Sequence, residues 1–301
     1  MYSKTDSATQ ATPTILVNAH GLTKKYGKHL VLDNIDLQIA KGRIVGLIGP
    51  NGAGKTTVLK ALLGLTSFQG DISVLGMDPV KQRTELLQQV CFIADTAILP
   101  RWLKVSEALE YVDKVHPQFD LSKARQTLST TSIGLSQRIS QLSKGMVTQL
   151  HLALVMAIDA KILVLDEPTL GLDILYRKQF YSSLLNDYFN RDRTIIITTH
   201  QVEEIEALLT DLIFIHHGRL VLNCEMDALE SNFFEIETTP EKVDEARALQ
   251  PISERSTLGG SVFIYENIAK EKLAALGPSR TPSVADLFVA KMQPSQGAGH
   301  E

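Results

Sequence analysis

Three short stretches of the chain carry side chains suited to chemistry on a phosphate anhydride. GPNGAGKT (49–56) fits the pattern G-x-x-x-x-G-K-[ST]. It follows the apolar run RIVGLIG (43–49) and opens a stretch of helical spacing, KTTVLKALLG (55–64), which is the context that lets such a loop wrap a phosphate. Gly49, Gly52 and Gly54, with Pro50, Asn51 and Ala53 between them, allow backbone N–H groups to turn inward, and the helix N-terminus adds positive potential. Lys55 reaches for the β- and γ-phosphates, Thr56 offers a hydroxyl to Mg²⁺, and Thr57 suits the α-phosphate. ILVLDEP (162–168) puts Asp166 and Glu167 at the end of a buried strand, where open α/β sheets bind their ligands. Asp166 suits Mg²⁺, directly or through water, and Glu167 beside it is placed as general base for an attacking water. His200 ends a second apolar run, IIITTH. A histidine alone is more often structural, but this position lets it bond the γ-phosphate.

The elements that must hold these residues follow from hydrophobic periodicity. TILVNAHGLTKKY and HLVLDNIDLQIA alternate apolar and polar residues and read as antiparallel strands at a sheet edge. RIVGLIG, KILVLDEP and RTIIITTH are continuous apolar runs, the mark of strands covered on both faces. QVEEIEALL (201–209) reads as a helix and DLIFIHHGRLVL as strand–turn–strand. Residues 81–152 are mostly helical, with breaks at Pro100, Pro117 and Gly134. Strands alternating with helices define an α/β domain with a mainly parallel sheet, antiparallel edge strands and a helical insertion. After Cys224 the composition changes, and residues 226–301 read as a small α+β appendage in the order β-α-β-α-α, ending in a disordered tail. The polar N-terminus (1–13) reads as a second tail.

Composition narrows the class. The chain has 301 residues, 44% hydrophobic and 21% charged, with a net charge of −4, so nothing marks it as a nucleic-acid binder. No apolar run approaches the roughly 18 residues needed to span a bilayer. Cys91 and Cys224 lack CxxC or Cys/His spacing, which points to buried thiols in a reducing compartment. The expected location is cytoplasmic.

The order GPNGAGKTT, LSKGM (142–146), ILVLDEP, TLGLD (169–173), TTH resembles the ATP-binding cassette subunits of ABC transporters over about residues 15–225. LSKGM stands where that family carries a signature related to LSGGQ, with 20 residues between Met146 and Glu167. The resemblance implies a P-loop NTPase cassette over 14–225 with its helical subdomain at about 81–152, ATP as substrate with Mg²⁺, and a head-to-tail dimer. In such a dimer the phosphate loop of one subunit and the signature of the other clamp the nucleotide. On this resemblance Tyr26 stacks on adenine, and Ser143 and Gly145 reach the γ-phosphate across the dimer. Asp173 ties the subunits together, His200 is the switch histidine, and TPSVADLFVAKM (281–292) matches a tail helix that closes many exporter cassettes. The implied partners are a second ATPase subunit, either another copy of this chain or a related one, and a separately encoded permease, which would hold the chain at the cytoplasmic face of the membrane.

Two positions depart from the family pattern. Lys144 replaces a glycine in the signature, giving up backbone freedom while adding a cation beside an anionic ligand at the dimer contact. VCFIAD (90–95) ends in Asp95 where the family has glutamine. A carboxylate can ligate Mg²⁺ or orient water but cannot donate as an amide does. The stretch after it, with Leu99, Trp102 and Leu103, faces either a membrane partner or the helical insertion itself. Two other readings compete with transport. Cassettes acting on ribosomes pair two copies in one chain, and those acting on DNA insert a long coiled coil, whereas here 86 residues separate Lys55 from Leu142. A catalytically weak half of a heterodimer is opposed by Glu167 and His200 and left open by Asp95 and Lys144.

Overall fold

The structure, a computed structural model, describes residues 13–94, 99–170, 172, 174–190 and 192–292. The chain runs β1 (Ile15–Tyr26), β2 (His29–Ala40), β3 (Ile44–Ile48), α1 (Lys55–Leu62), β4 (Gln69–Val74), α2 (Arg83–Leu87), β5 (Val90–Ile93), α3 (Val105–Val115), α4 (Leu121–Ser129), α5 (Lys144–Met156), β6 (Ile162–Asp166), α6 (Ile174–Ser183), β7 (Thr194–Thr199), β8 (Asp211–His216) and β9 (Arg219–Glu225). It continues through α7 (Met226–Asn232), β10 (Phe233–Thr238), α8 (Val243–Ala248), β11 (Ser253–Thr257), β12 (Gly260–Glu266), α9 (Lys270–Leu273), β13 (Ser279–Arg280) and α10 (Val284–Met292).

The central sheet has the order β5-β6-β7-β3-β8-β9, parallel except for β9 at its edge. IVGLI, ILVLD and TIIITT are buried at every position, as continuous apolar runs covered on both faces must be. One face, through Val45, Leu47, Val164 and Ile196, packs on α1 and on the antiparallel sheet β2-β1-β4. The other, through Ile44, Leu163, Leu165, Ile195 and Ile197, packs on α6 and α10. Because β3, β6 and β7 are neighbours, their C-terminal ends bring residues 49–57, 166–167 and 200 to one edge of the sheet.

The segment between α1 and β6 divides. VCFI is a strand of the central sheet, in register from Val90↔Ile162 to Ile93↔Leu165. The helices that pack on one another are α3, α4 and α5, around Val105, Leu109, Leu128 and Leu150.

The pattern reading fails at several elements. QVEEIEALL forms no α-helix but two 3₁₀ turns, Val202–Glu204 and Glu206–Leu208. The tighter turns put Val202, Ile205 and Leu209 into one core cluster with α10, so tertiary contacts override local helical spacing. QGDISV, passed over in the sequence, is β4. In the C-terminal region the sequence pattern misses α7, β11 and β13. SERST is a polar edge strand, exposed at its centre, and β13 is two residues long, so neither carries an apolar signal.

That region forms a four-stranded antiparallel sheet, β11-β12-β10-β13, and then returns to the cassette through α10. Val284, Leu287 and Ala290 enter the main core, and Phe288 meets Phe214 edge-on with 5.2 Å between centroids. Glu206 accepts from the Val284 N–H at 3.1 Å, satisfying one of the orphan donors of the helix start. Leu287 is 0% exposed. Leu287→Ala is expected to cost about 2–5 kcal/mol, read as a lower denaturation midpoint; an unchanged midpoint would contradict the docking of α10 on the cassette.

Candidate nucleotide-binding site

The loop between β3 and α1 is shaped by glycine where nothing else fits. A Cβ at Gly49 would lie 2.4 Å from the Ile215 carbonyl oxygen, and Gly54 has φ +110° with Leu32 Cδ2 2.7 Å from where a Cβ would be. Gly54, which caps α1, supplies no side-chain acceptor, and no acidic residue stands in the first turn. The first N–H groups of α1 are therefore left for a ligand. Lys55 is 6% exposed. Its Nζ donates to the Gly49 carbonyl at 2.6 Å and lies 3.6 Å from Glu167 Oε1, which curls the ammonium over the loop.

Asp166 is 1% exposed. Its Oδ2 accepts from the Thr56 hydroxyl at 2.7 Å and its Oδ1 from the Thr198 hydroxyl at 2.6 Å. Among the described residues no three His, Cys, Asp or Glu side chains cluster as a metal cage. A buried carboxylate beside an exposed hydroxyl is the hard-oxygen donor set that suits Mg²⁺, which keeps most of its ligands from phosphate and water. Thr56 and Asp166 therefore fit that ion.

Glu167 is turned by its backbone. Its φ of 49° is uncommon for a non-glycine residue and strained by about 1–3 kcal/mol. The conformation is held by its N–H donating to Thr198 Oγ1 at 3.0 Å, and Glu167 Oε2 then meets His200 Nδ1 at 2.8 Å. One carboxylate thus faces both the loop lysine and the histidine. Behind it, Thr169 bonds the Tyr181 hydroxyl at 3.1 Å, and burial pushes that phenol up to about 12, so it stays protonated. Arg177 on α6 donates to the Leu172 carbonyl at 2.7 Å, to Glu204 at 2.7 Å and to the Gln201 side chain. Thr198, Arg177 and Gln201 were not legible as site residues. A threonine inside IIITTH reads as a strand former, and the contacts of Arg177 span 24 and 27 residues. The only available signal was a hydroxyl at an inward position of a fully buried strand.

The structure places the remaining candidates as follows. Tyr26 ends β1, is 50% exposed, and has its hydroxyl 3.5 Å from Thr66 Oγ1. Ser143 caps α5 by accepting from the Met146 N–H at 3.2 Å. Lys144 opens that helix and is exposed, so helical φ, not glycine freedom, is what its position needs. A Cβ at Gly145 would meet nothing within 4 Å, leaving its backbone open to approach. Among the described residues neither Ser143 nor Gly145 hydrogen-bonds the phosphate loop of its own chain. Asp95 and Asp173 lie outside the described residues.

A strand–loop–helix cradle with a buried carboxylate on the neighbouring strand defines a phosphate-loop ATPase on an α/β sheet. A family model described as ABC transporter matches residues 32–170. Among curated relatives, the Nod factor export ATP-binding protein I of Cupriavidus metallidurans is 30% identical over 282 residues, 87% of this chain and 90% of that one. The lantibiotic transport ATP-binding protein SrtF of Streptococcus pyogenes is 31% identical over 221 residues, 72% of this chain and 93% of the relative. A solved structure described as the ATP-binding subunit of an ABC transporter superposes with a TM-score of 0.63 at 24% identity, over 71% of this chain and 91% of that one, a match of fold. The chain belongs to the ABC transporter family, as one of its ATP-binding subunits, and is an ATPase.

Thr198→Val keeps the volume and removes the hydroxyl shared by Asp166 and Glu167. Hydrogen bonds to charged groups are worth about 1.5–3 kcal/mol, so ATP turnover should fall about tenfold or more and its Mg²⁺ dependence should weaken. An unchanged rate at every Mg²⁺ concentration would show that the hydroxyl does not hold the carboxylates.

Proposed function

We propose that this subunit binds and hydrolyses MgATP in a head-to-tail pair and thereby drives a separately encoded membrane permease in export. The observation that carries the reading is the convergence of Lys55, Thr56, Asp166, Glu167 and His200 at one end of the sheet. The names of the relatives, a Nod factor export protein and a lantibiotic transport protein, support the direction. The cargo is set by the permease.

In this reading Lys55 leaves the Gly49 carbonyl for the β- and γ-phosphates, and Thr57 bonds the α-phosphate. Thr56 and Asp166 would hold Mg²⁺, which would supply neutralisation of phosphate charge. Asp95, by its residue type, would serve as a further metal ligand or orient water. Glu167 accepts the proton of a water as its oxygen bonds to the γ-phosphorus and the β–γ bridging bond breaks, releasing ADP. His200, 2.8 Å from that carboxylate, orients it and reaches the γ-phosphate. Across the pair, Ser143 and Gly145 of the second copy close over the same phosphate, aided by the potential of the α5 N-terminus, with Lys144 and Asp173 at the contact. The direct contact between Glu167 and His200 supports an active rather than a weakened site.

No described helix is long and apolar enough to cross a membrane. Of the candidate contacts Leu99, Trp102 and Leu103, Leu99 and Leu103 pack into the helical cluster, while Trp102 is 67% exposed. Trp102 is therefore the residue offered to the permease, at the cytoplasmic membrane face.

Lys55→Ala is expected to abolish nucleotide binding and turnover. Glu167→Gln is expected to keep binding and slow hydrolysis by about 10²-fold or more. Both are checked by equilibrium binding and phosphate release; turnover retained in Lys55→Ala, or undiminished in Glu167→Gln, would overturn the assignment of the site.

A further inference from the structure

We infer that Lys24 sets the affinity of this site for the nucleobase, acting as a cation behind the Tyr26 ring; the inference rests on the reading of Tyr26 as the adenine-stacking residue. Along β1, Val17, Ala19 and Leu22 point inward, and Lys24 takes the next inward position at 7% exposed. Among the described residues Lys24 and Lys55 are the two buried lysines. Lys55 has Glu167 beside it. Lys24 has no carboxylate within ion-pair distance among the described residues. Its Nζ donates to Ser67 Oγ at 2.9 Å and lies 4.7 Å from the centroid of the Tyr26 ring.

A buried ammonium without a counter-ion is unfavourable, so its retention at an apolar register position needs a compensating contact. The electron-rich face of the tyrosine supplies one. The arrangement also acts on the ring. The ammonium on one face and Thr66 at the hydroxyl fix its plane, while half of the side chain stays open to solvent. Charge drawn toward the lysine leaves the open face electron-poor, and an electron-poor face stacks better on an electron-rich purine.

The location fits a base rather than a phosphate. Gly54 of the phosphate loop abuts Leu32 and the Val31 carbonyl, and Leu32 is the register partner of Lys24. Tyr26 lies two residues further along the strand, about 7 Å, which leaves room for a ribose between the phosphate chain and a base stacked on the ring.

The test measures dissociation constants of the full chain for ATP and for inorganic tripolyphosphate, which has the phosphates and no base. Lys24→Met should weaken ATP about threefold to tenfold and leave tripolyphosphate unchanged. Lys24→Arg, which keeps a cation, should restore ATP binding. In a Tyr26→Ala background, Lys24→Met should cause no further loss. Equal weakening of both ligands by Lys24→Met would mean a merely structural lysine and overturn the inference, as would an effect on neither ligand while Tyr26→Ala still weakens ATP. If Tyr26→Ala itself leaves ATP affinity intact, the stacking reading fails and the inference with it.

Discussion

Asp166 is 1% exposed, and its two carboxylate oxygens are spent on hydroxyls from different elements, Thr56 at the start of α1 and Thr198 near the end of β7. A buried carboxylate is tolerated only when it is well bonded, so this pair of contacts fixes how α1 meets β6 and how β6 meets β7. The loop before α1 and the turn after β6 inherit that geometry. Thr198 also takes the Glu167 N–H, holding that residue at positive φ with its carboxylate between Lys55 and His200. Two threonines therefore connect the Asp166 carboxylate, the Glu167 carboxylate and the phosphate loop.

How far this could be read in the sequence depends on whether the signal was local. GPNGAGKT, the DE pair after ILVL and the histidine after IIITT were legible because each combines residue type with a strand end. The parallel sheet was legible because runs such as IVGLI admit no solvent-facing side. The second layer was not. Arg177 reaches Gln201 and Glu204 from a distant helix, and no spacing rule announces that. QVEEIEALL carries a helical pattern, but its apolar residues are needed against α10 and its acids against Arg177 and Val284, so it folds into 3₁₀ turns. SERST, polar throughout, is a strand only because β12 offers its edge.

The same 200–209 segment joins the C-terminal region to the nucleotide end of the sheet. Val202 and Ile205 share a cluster with Val284 and Leu287, and Glu206 bonds the start of α10. The small antiparallel sheet is thus not a separate bead on a linker; its last helix completes the face of the cassette opposite α1.

LSKGM is built as a helix start whose serine caps it, whose lysine needs no glycine backbone and whose glycine is open to approach. Within one chain it makes no hydrogen bond to the phosphate loop among the described residues, so its proposed role calls for the phosphate loop of a second subunit. The most direct test is the solution mass of the Glu167→Gln protein with and without MgATP. A shift from the 33.2 kDa monomer to about twice that mass is expected on adding nucleotide. A protein that binds MgATP and stays at the monomer mass would contradict closure of one copy's LSKGM over the other's phosphate loop.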